Sequence, residues 1–254
     1  MKIAVVTQAR ISSTRLPEKV IRRVGDMSLL ELHLRRAAKA TMPTHFFVAI
    51  ADEPGCEKIA VVATECGWQY SKGDVNDVLA RFYNCVSSLA PDYVVRITSD
   101  CPLIDPALID AVIGFCIEKN LDYAANGLIE SFPDGEDVEV FRFAALEVAF
   151  RSATLMSDRE HVTPYIKKNS SFLNGRPYRS DNFHSGKDYQ KVRITVDNPE
   201  DLTVIQKLVG RLGPWASWKE YTDLYLADAS IHGLNSDIIR NEGYIKSLIK
   251  DQKA

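Results

Sequence analysis

The stretch Met1-Lys2-Ile3-Ala4-Val5-Val6-Thr7-Gln8-Ala9-Arg10-Ile11-Ser12-Ser13-Thr14-Arg15-Leu16-Pro17-Glu18-Lys19-Val20 decides how this chain is read. Residues 3–7 form a short unbroken apolar run, which suits a strand buried on both faces of a parallel sheet. The loop after it carries Arg10, Arg15 and Lys19, with small hydroxyl residues at Ser12, Ser13 and Thr14. Leu16-Pro17 restricts the backbone between the last two cations. A buried strand running into fixed cations and free backbone amides is suited to a polyanion, and a nucleoside triphosphate fits that chemistry. The plain alternative is a solvated basic loop.

Working outward, alternation continues. Leu29 to Ala38 has a helical apolar stripe, Phe46–Ala51 reads as a second buried strand, and residues 54–66 as a helix. A short strand at 68–71, a helix over 77–89 and a strong strand at Tyr93–Thr98 follow, and Pro106 opens a helix to about Lys119 with Asp105 as its cap. Strands alternating with helices of this length predict a mostly parallel, doubly wound α/β sheet. Beyond residue 120 the rhythm changes. Asp137 to Phe141 alternates like a half-exposed strand, a helix is expected at 143–153, and 170–191 reads as an excursion loop. Val192–Val196 is read as a late strand, with a helix from about Pro199 that Asp197 could cap. From Pro214 the chain is helical, and no repeat or low-complexity linker marks a second independent domain.

The 254 residues carry a formal net charge of −3, with 46% hydrophobic and 26% charged side chains. That is ordinary globular usage, and it argues against a general nucleic-acid binder, which needs a basic excess. No run approaches the ~20 apolar residues of a membrane span, so no membrane partner is expected. Five cysteines without a CxxC pair suggest neither zinc nor a thioredoxin-like motif; the simplest setting is reducing and cytoplasmic, with Cys101 a small buried residue.

Two carboxylates draw attention. Asp100 ends the third strong strand in Thr98-Ser99-Asp100-Cys101-Pro102, and Asp197 follows the late strand. Ligands of open parallel sheets bind beyond the carboxyl ends of strands. Two such aspartates could share one Mg²⁺, which takes one or two protein carboxylates beside phosphate oxygens and water. Each alone could equally cap a turn or helix. Asp134 and Glu136 read as a solvated turn, with Glu139 the better site candidate, and His161 as a structural hydrogen-bonder before an acid or base. The aromatic stripe Trp215, Trp218, Tyr221, Tyr225 reads as core or as a subunit contact, with the contact surface, compatible with a homodimer, the preferred reading.

Gln8–Lys19 resembles the nucleotide-binding signature of the sugar cytidylyltransferases, a group that includes acylneuraminate and Kdo (3-deoxy-manno-octulosonate) enzymes. The segments 73–82, 96–105, 133–140, 159–166, 195–202 and 240–248 match in order, most nearly in the SpsF-like branch. The resemblance implies a nucleotide-diphosphosugar transferase fold with a β-insertion: a nucleotidyltransferase domain over 1–210 and a helical extension over 211–254 packed on it. It implies Mg²⁺-dependent transfer of a nucleotidyl group, from CTP, to a sugar or sugar acid, with pyrophosphate leaving. By position, Arg10, Lys19 and Asp100 become the catalytic group and Asp100 and Asp197 the metal ligands. Gln8, Ala9, Ser13, Arg15, Asp77 and Arg96 join Arg10 and Lys19 in holding the nucleotide. Arg81, Glu139, Arg159, Glu160 and His161 fall on the acceptor side.

Rival readings keep the fold and change the chemistry. One is a guanylyl- or uridylyltransferase acting on a phosphosugar; another is a non-catalytic nucleotide-binding protein, disfavoured because all four charged positions are present. An NAD-dependent dehydrogenase lacks its GxGxxG after the first strand.

Overall fold

The computed structural model describes residues 1–252. In chain order the elements are β1 (Ile3–Ala9), the hairpin β2 (Arg23–Val24) and β3 (Met27–Ser28), α1 (Leu29–Ala37), β4 (His45–Ala51), α2 (Glu57–Glu65), β5 (Gln69–Gly73) and α3 (Val78–Val86). Then come β6 (Tyr93–Thr98), α4 (Pro106–Glu118), β7 (Tyr123–Ala125), β8 (Glu139–Arg142), α5 (Phe143–Ser152), α6 (Met156–His161), α7 (Pro164–Lys168) and β9 (Ser180–Asn182). Four helices close the chain: α8 (Pro199–Leu212), α9 (Trp218–Ala227), α10 (Ala229–His232) and α11 (Glu242–Asp251).

The main sheet has seven strands in the order β5-β4-β1-β6-β8-β7-β9. All pairings are parallel except those of β8, which runs antiparallel to both β6 and β7. Strand order reverses beside β1: β4 lies on one side and β6 on the other. That switch point leaves a crevice at the carboxyl ends of β1 and β6, where open α/β sheets take their ligands.

Local chemistry explains the elements. β1 is buried on both faces, so its apolar run has no polar alternation to spend on solvent. Asp105 caps α4 by accepting from Ala107 N at 2.8 Å, and its other oxygen accepts from Trp218 N at 2.8 Å, joining α4 to the C-terminal helices. One face of the sheet packs on α1, α2 and α4 through Leu30, Leu34, Ile59, Ile109 and Val112. The other packs on α3, α5 and α7 through Leu79, Phe82, Leu146 and Ile166. A third cluster joins Leu16 of the first loop, Leu103, α8 and the residues Tyr221, Tyr225 and Ile231.

Four expectations need correction. Residues 192–196 are buried but form no sheet strand; a single bridge pairs Arg193 with Asp134. Their backbone bonds go instead to irregular segments, Ile194 N to Asp134 O at 2.7 Å and Val196 N to Asp100 O at 2.8 Å. The cap of α8 is Asn198, in a capping box with Asp201, rather than Asp197. The segment around Asp134 and Glu136 is not a solvated turn: Asp134 is 9% and Glu136 0% exposed. Gly135 sits there at φ +117°, where a Cβ would lie 2.7 Å from the backbone of Ile194, so only glycine lets the two segments press together. Finally, Tyr221 and Tyr225 are core, not a contact surface, and of the aromatic stripe only Trp215 is exposed, beneath Lys39 Nζ at 3.7 Å.

Candidate active site

The turn after β1 is shaped by what it buries. Leu16 and Val20 sink into apolar clusters at either end of the turn, while Pro17 and Glu18 between them are exposed. Glu18 takes a left-handed conformation, φ 55°, and its carboxylate meets Lys58 Nζ at 2.6 Å. Lys19 then projects across the crevice. Its ammonium lies 2.9 Å from Asp197 Oδ1 and 3.6 Å from Asp100 Oδ2. Burial alone would push the Lys19 ammonium down, but the two carboxylates outweigh it and hold it above the ordinary lysine value. Burial likewise works against the charge of Asp100, and Lys19 together with Thr98 and Cys101 holds its carboxyl below the usual range. Arg15 joins the same group, its Nη2 at 3.1 Å from Asp197 Oδ1 and its Nη1 at 2.9 Å from Glu242.

Asp197 is aimed by neighbours the sequence reading did not single out. Asp201, fully buried, accepts from the backbone N of Asp197 at 2.9 Å and from Arg193 Nε at 2.9 Å. Arg193 also meets Asp134 at 2.6 Å and Asp197 Oδ2 at 3.4 Å. Asn235 donates to Asp201 at 2.9 Å, which ties the helical C-terminus into the network. The readable signal was the Asn-x-x-Asp spacing from 198 to 201; nothing in sequence reveals that Arg193 bridges it.

The remaining nucleotide-side residues sort differently. Ser13 Oγ accepts from Leu16 N at 3.3 Å and shapes the turn. Arg10 is exposed. The amides of Ile11 and Ser12 are not free, as expected from the loop, but donate to Glu53 Oε1 at 2.6 and 2.8 Å. Gln8 lies in register with Thr98, and its Oε1 is buried without a partner; Ala9 ends the strand, with its carbonyl 3.5 Å from Arg81 Nη1. Arg81 is 2% exposed and, among the described residues, donates to carbonyls of residues 9, 49 and 75, at 3.3–3.5 Å. Burial, with Arg10 nearby, pushes its guanidinium down to about 10.

A second group lines the other side. Arg96 pairs with Glu139 at 2.6 Å, and Glu139 Oε1 accepts from Tyr123 at 2.7 Å and Thr163 at 2.8 Å. Burial would raise the Glu139 carboxyl, but Arg96 and these donors hold it down. Asp77 does not reach the β1 turn: it caps α3 through Ala80 N at 2.9 Å and forms an ion pair with Arg159. Arg159 also bonds Phe150 O at 2.8 Å, so this pair fastens α3 to the α5–α6 corner. His161 Nε2 meets Ser247 Oγ at 3.0 Å, and that hydroxyl donates to Glu160 at 2.7 Å. Burial pushes the imidazole down to about 4, so it is neutral at pH 7. Cys101 is buried, with its thiol pushed up by burial, which suits a small core residue rather than a nucleophile.

Two hard carboxylates on one side of a cationic turn fit Mg²⁺, whose shell phosphate and water would complete. Among the described residues no group of three or more His, Cys, Asp or Glu is placed to hold a metal ion.

A switch-point crevice with clustered cations and paired aspartates, on this fold, belongs to the nucleotidyltransferase class of enzymes. A family model described as "Cytidylyltransferase" matches residues 4–229. The uncharacterized protein MJ1063 of Methanocaldococcus jannaschii is 33% identical over 211 residues, 82% of this chain and 83% of that one. The spore coat polysaccharide biosynthesis protein SpsF of Bacillus subtilis is 27% identical over 219 residues, 83% of this chain and 88% of that one. A cytidylyltransferase structure from Leptospira borgpetersenii superposes with TM-score 0.86 at 26% identity, covering 94% of this chain and 100% of that one. The chain belongs to the cytidylyltransferase family.

Proposed function

We propose that this chain is a Mg²⁺-dependent cytidylyltransferase that takes CTP and a sugar or sugar acid to a nucleotide-activated sugar and pyrophosphate, for surface polysaccharide or glycan synthesis. The family supports the cytidyl donor, and SpsF, named for spore coat polysaccharide biosynthesis, supports the sugar acceptor. The observation that carries the reading is Lys19 meeting Asp197 at 2.9 Å across 178 residues of sequence, with Asp100 and Arg15 beside them.

The chemistry asks for positioning and charge neutralisation more than covalent help. An acceptor oxygen attacks the α-phosphorus in line, the bond to the bridging oxygen breaks, and its electron pair leaves with pyrophosphate. Lys19, Arg15 and Arg10 oppose the negative charge that develops on the leaving group. Asp100 and Asp197 would hold Mg²⁺, which supplies further charge neutralisation on the phosphates. Arg96, Glu139 and His161 line the acceptor side.

Pyrophosphate release with each of the four nucleoside triphosphates, against a panel of sugar acids and phosphosugars, tests the proposal. Turnover with CTP and one acceptor class is expected. Turnover only with GTP or UTP would replace the donor, and nucleotide binding without turnover on any acceptor would favour a binding protein.

A further inference from the structure

The C-terminal segment lies across the crevice. Arg240 starts it, clamped by Asp137 at 2.7 Å and Phe132 O at 3.1 Å, and Asn241 follows in a left-handed conformation, φ 59°. Helix α11 then begins with Glu242, whose carboxylate holds Arg15 Nη1 at 2.9 Å. Its far end rests on α6: Ser247, 4% exposed, sits between His161 and Glu160, and Asp251 accepts from Ser157 N at 3.2 Å. One short helix thus links the cationic turn to the acceptor side.

The Glu242 contact conflicts with a bound polyphosphate. Both terminal nitrogens of Arg15 are engaged, one by Glu242 and one by Asp197, so a phosphate gripping this guanidinium displaces a carboxylate. Asp197 is fixed by the Arg193–Asp201 network, whereas Glu242 is half exposed and already shared with Lys246 Nζ at 2.6 Å. Glu242 is therefore the one to go. The outward side chains Ile245 and Ile249 are each 47% exposed. The inward face, with Ser247, the half-buried Leu248 and Tyr244, whose ring meets His161 at 5.0 Å, rests on α6, so the C-terminal half of α11 stays anchored when its first turn lets go.

We propose that residues 240–251 form a latch in which Glu242 occupies Arg15 until the phosphates of the nucleotide replace it, freeing the N-terminal end of α11. This rests on the reading of Arg15 as a phosphate ligand. Titration calorimetry with CTP and Mg²⁺, paired with hydrogen exchange over 242–251, tests it on the full chain. CTP is expected to speed exchange of the α11 amides about threefold or more, and Glu242→Gln to do so without nucleotide. The same variant is expected to bind CTP about two- to fivefold more tightly, the range of a half-exposed ion pair. Lys246→Met, which leaves Glu242 wholly to Arg15, is expected to weaken CTP by about twofold on the same scale. CTP binding with unchanged exchange and unchanged affinity in both variants overturns the latch and spares the function. Absence of CTP binding by wild type and variants alike overturns the nucleotide reading and the latch with it.

Discussion

The two sides of the crevice hold their charges in different ways. On the β1 turn, Lys19 and Arg15 face the partly exposed carboxylates Asp100, Asp197 and Glu242, with which an incoming anion would compete at the two cations. On the side proposed to meet the acceptor, Arg96, Glu139, Tyr123 and Thr163 satisfy one another inside the protein. The first set is partly open to solvent; the second is built into the packing. Removing a charge should therefore cost activity on one side and stability on the other.

The largest expected effect is on turnover. Lys19→Ala should lower kcat/KM by about 10³-fold, the scale of a lost transition-state charge contact, while the melting temperature moves by only a few degrees. Near-normal steady-state kinetics in that variant would remove the turn from the chemistry. Glu139→Gln should do the reverse first: leaving Arg96 buried without its counterion costs about 3–5 kcal/mol in a denaturant titration. An unshifted midpoint would make the acceptor side as exchangeable as the turn. Chelation comes next. EDTA should stop pyrophosphate release and added Mg²⁺ restore it; activity indifferent to chelation would strip Asp100 and Asp197 of their metal role.

The smallest effect is a pH slope. His161, pushed down to about 4, and His33, buried against Cys101 O at 2.9 Å and also pushed down to about 4, are neutral in the fold. In the unfolded chain they protonate near 6.5. The unfolded state then binds more protons between pH 6.5 and 4, so stability falls as pH drops through that window and is unaffected by these groups above it. Melting curves across pH 4–7 read it, and His161→Gln should flatten part of the slope. Asp134, which burial and Asp137 raise to about 7, contributes with the opposite sign over the same window, so the reading is the difference between wild type and His161→Gln; no change in slope in that variant would contradict a neutral, buried His161.

Much of this was legible beforehand, and the reasons are physical. The apolar run at residues 3–7 had no alternation, so a doubly buried strand was its natural home, and Asp105-Pro106 announced the start of α4. The cations gathered between positions 10 and 19 were readable as a cluster because local charge density needs no tertiary context, and two of them, Arg15 and Lys19, do meet at Asp197. What stayed hidden depends on tertiary partners. Val192–Val196 has the composition of a strand, but its hydrogen-bond partners are loops at 100 and 134. Nothing local announced that Asp77 caps α3 and pairs with Arg159, or that Arg81 reaches the carbonyls of Ala9 and Ala49. The Glu53 carboxylate on the amides of Ile11 and Ser12 lies 42 residues from its partner, beyond any local pattern.

The most direct measurement is a crystal grown with CTP and Mn²⁺, read by anomalous scattering. The account predicts the metal peak between Asp100 and Asp197, with the triphosphate along Arg10, Arg15 and Lys19. A nucleotide seated elsewhere, or a metal touching neither aspartate, would contradict it.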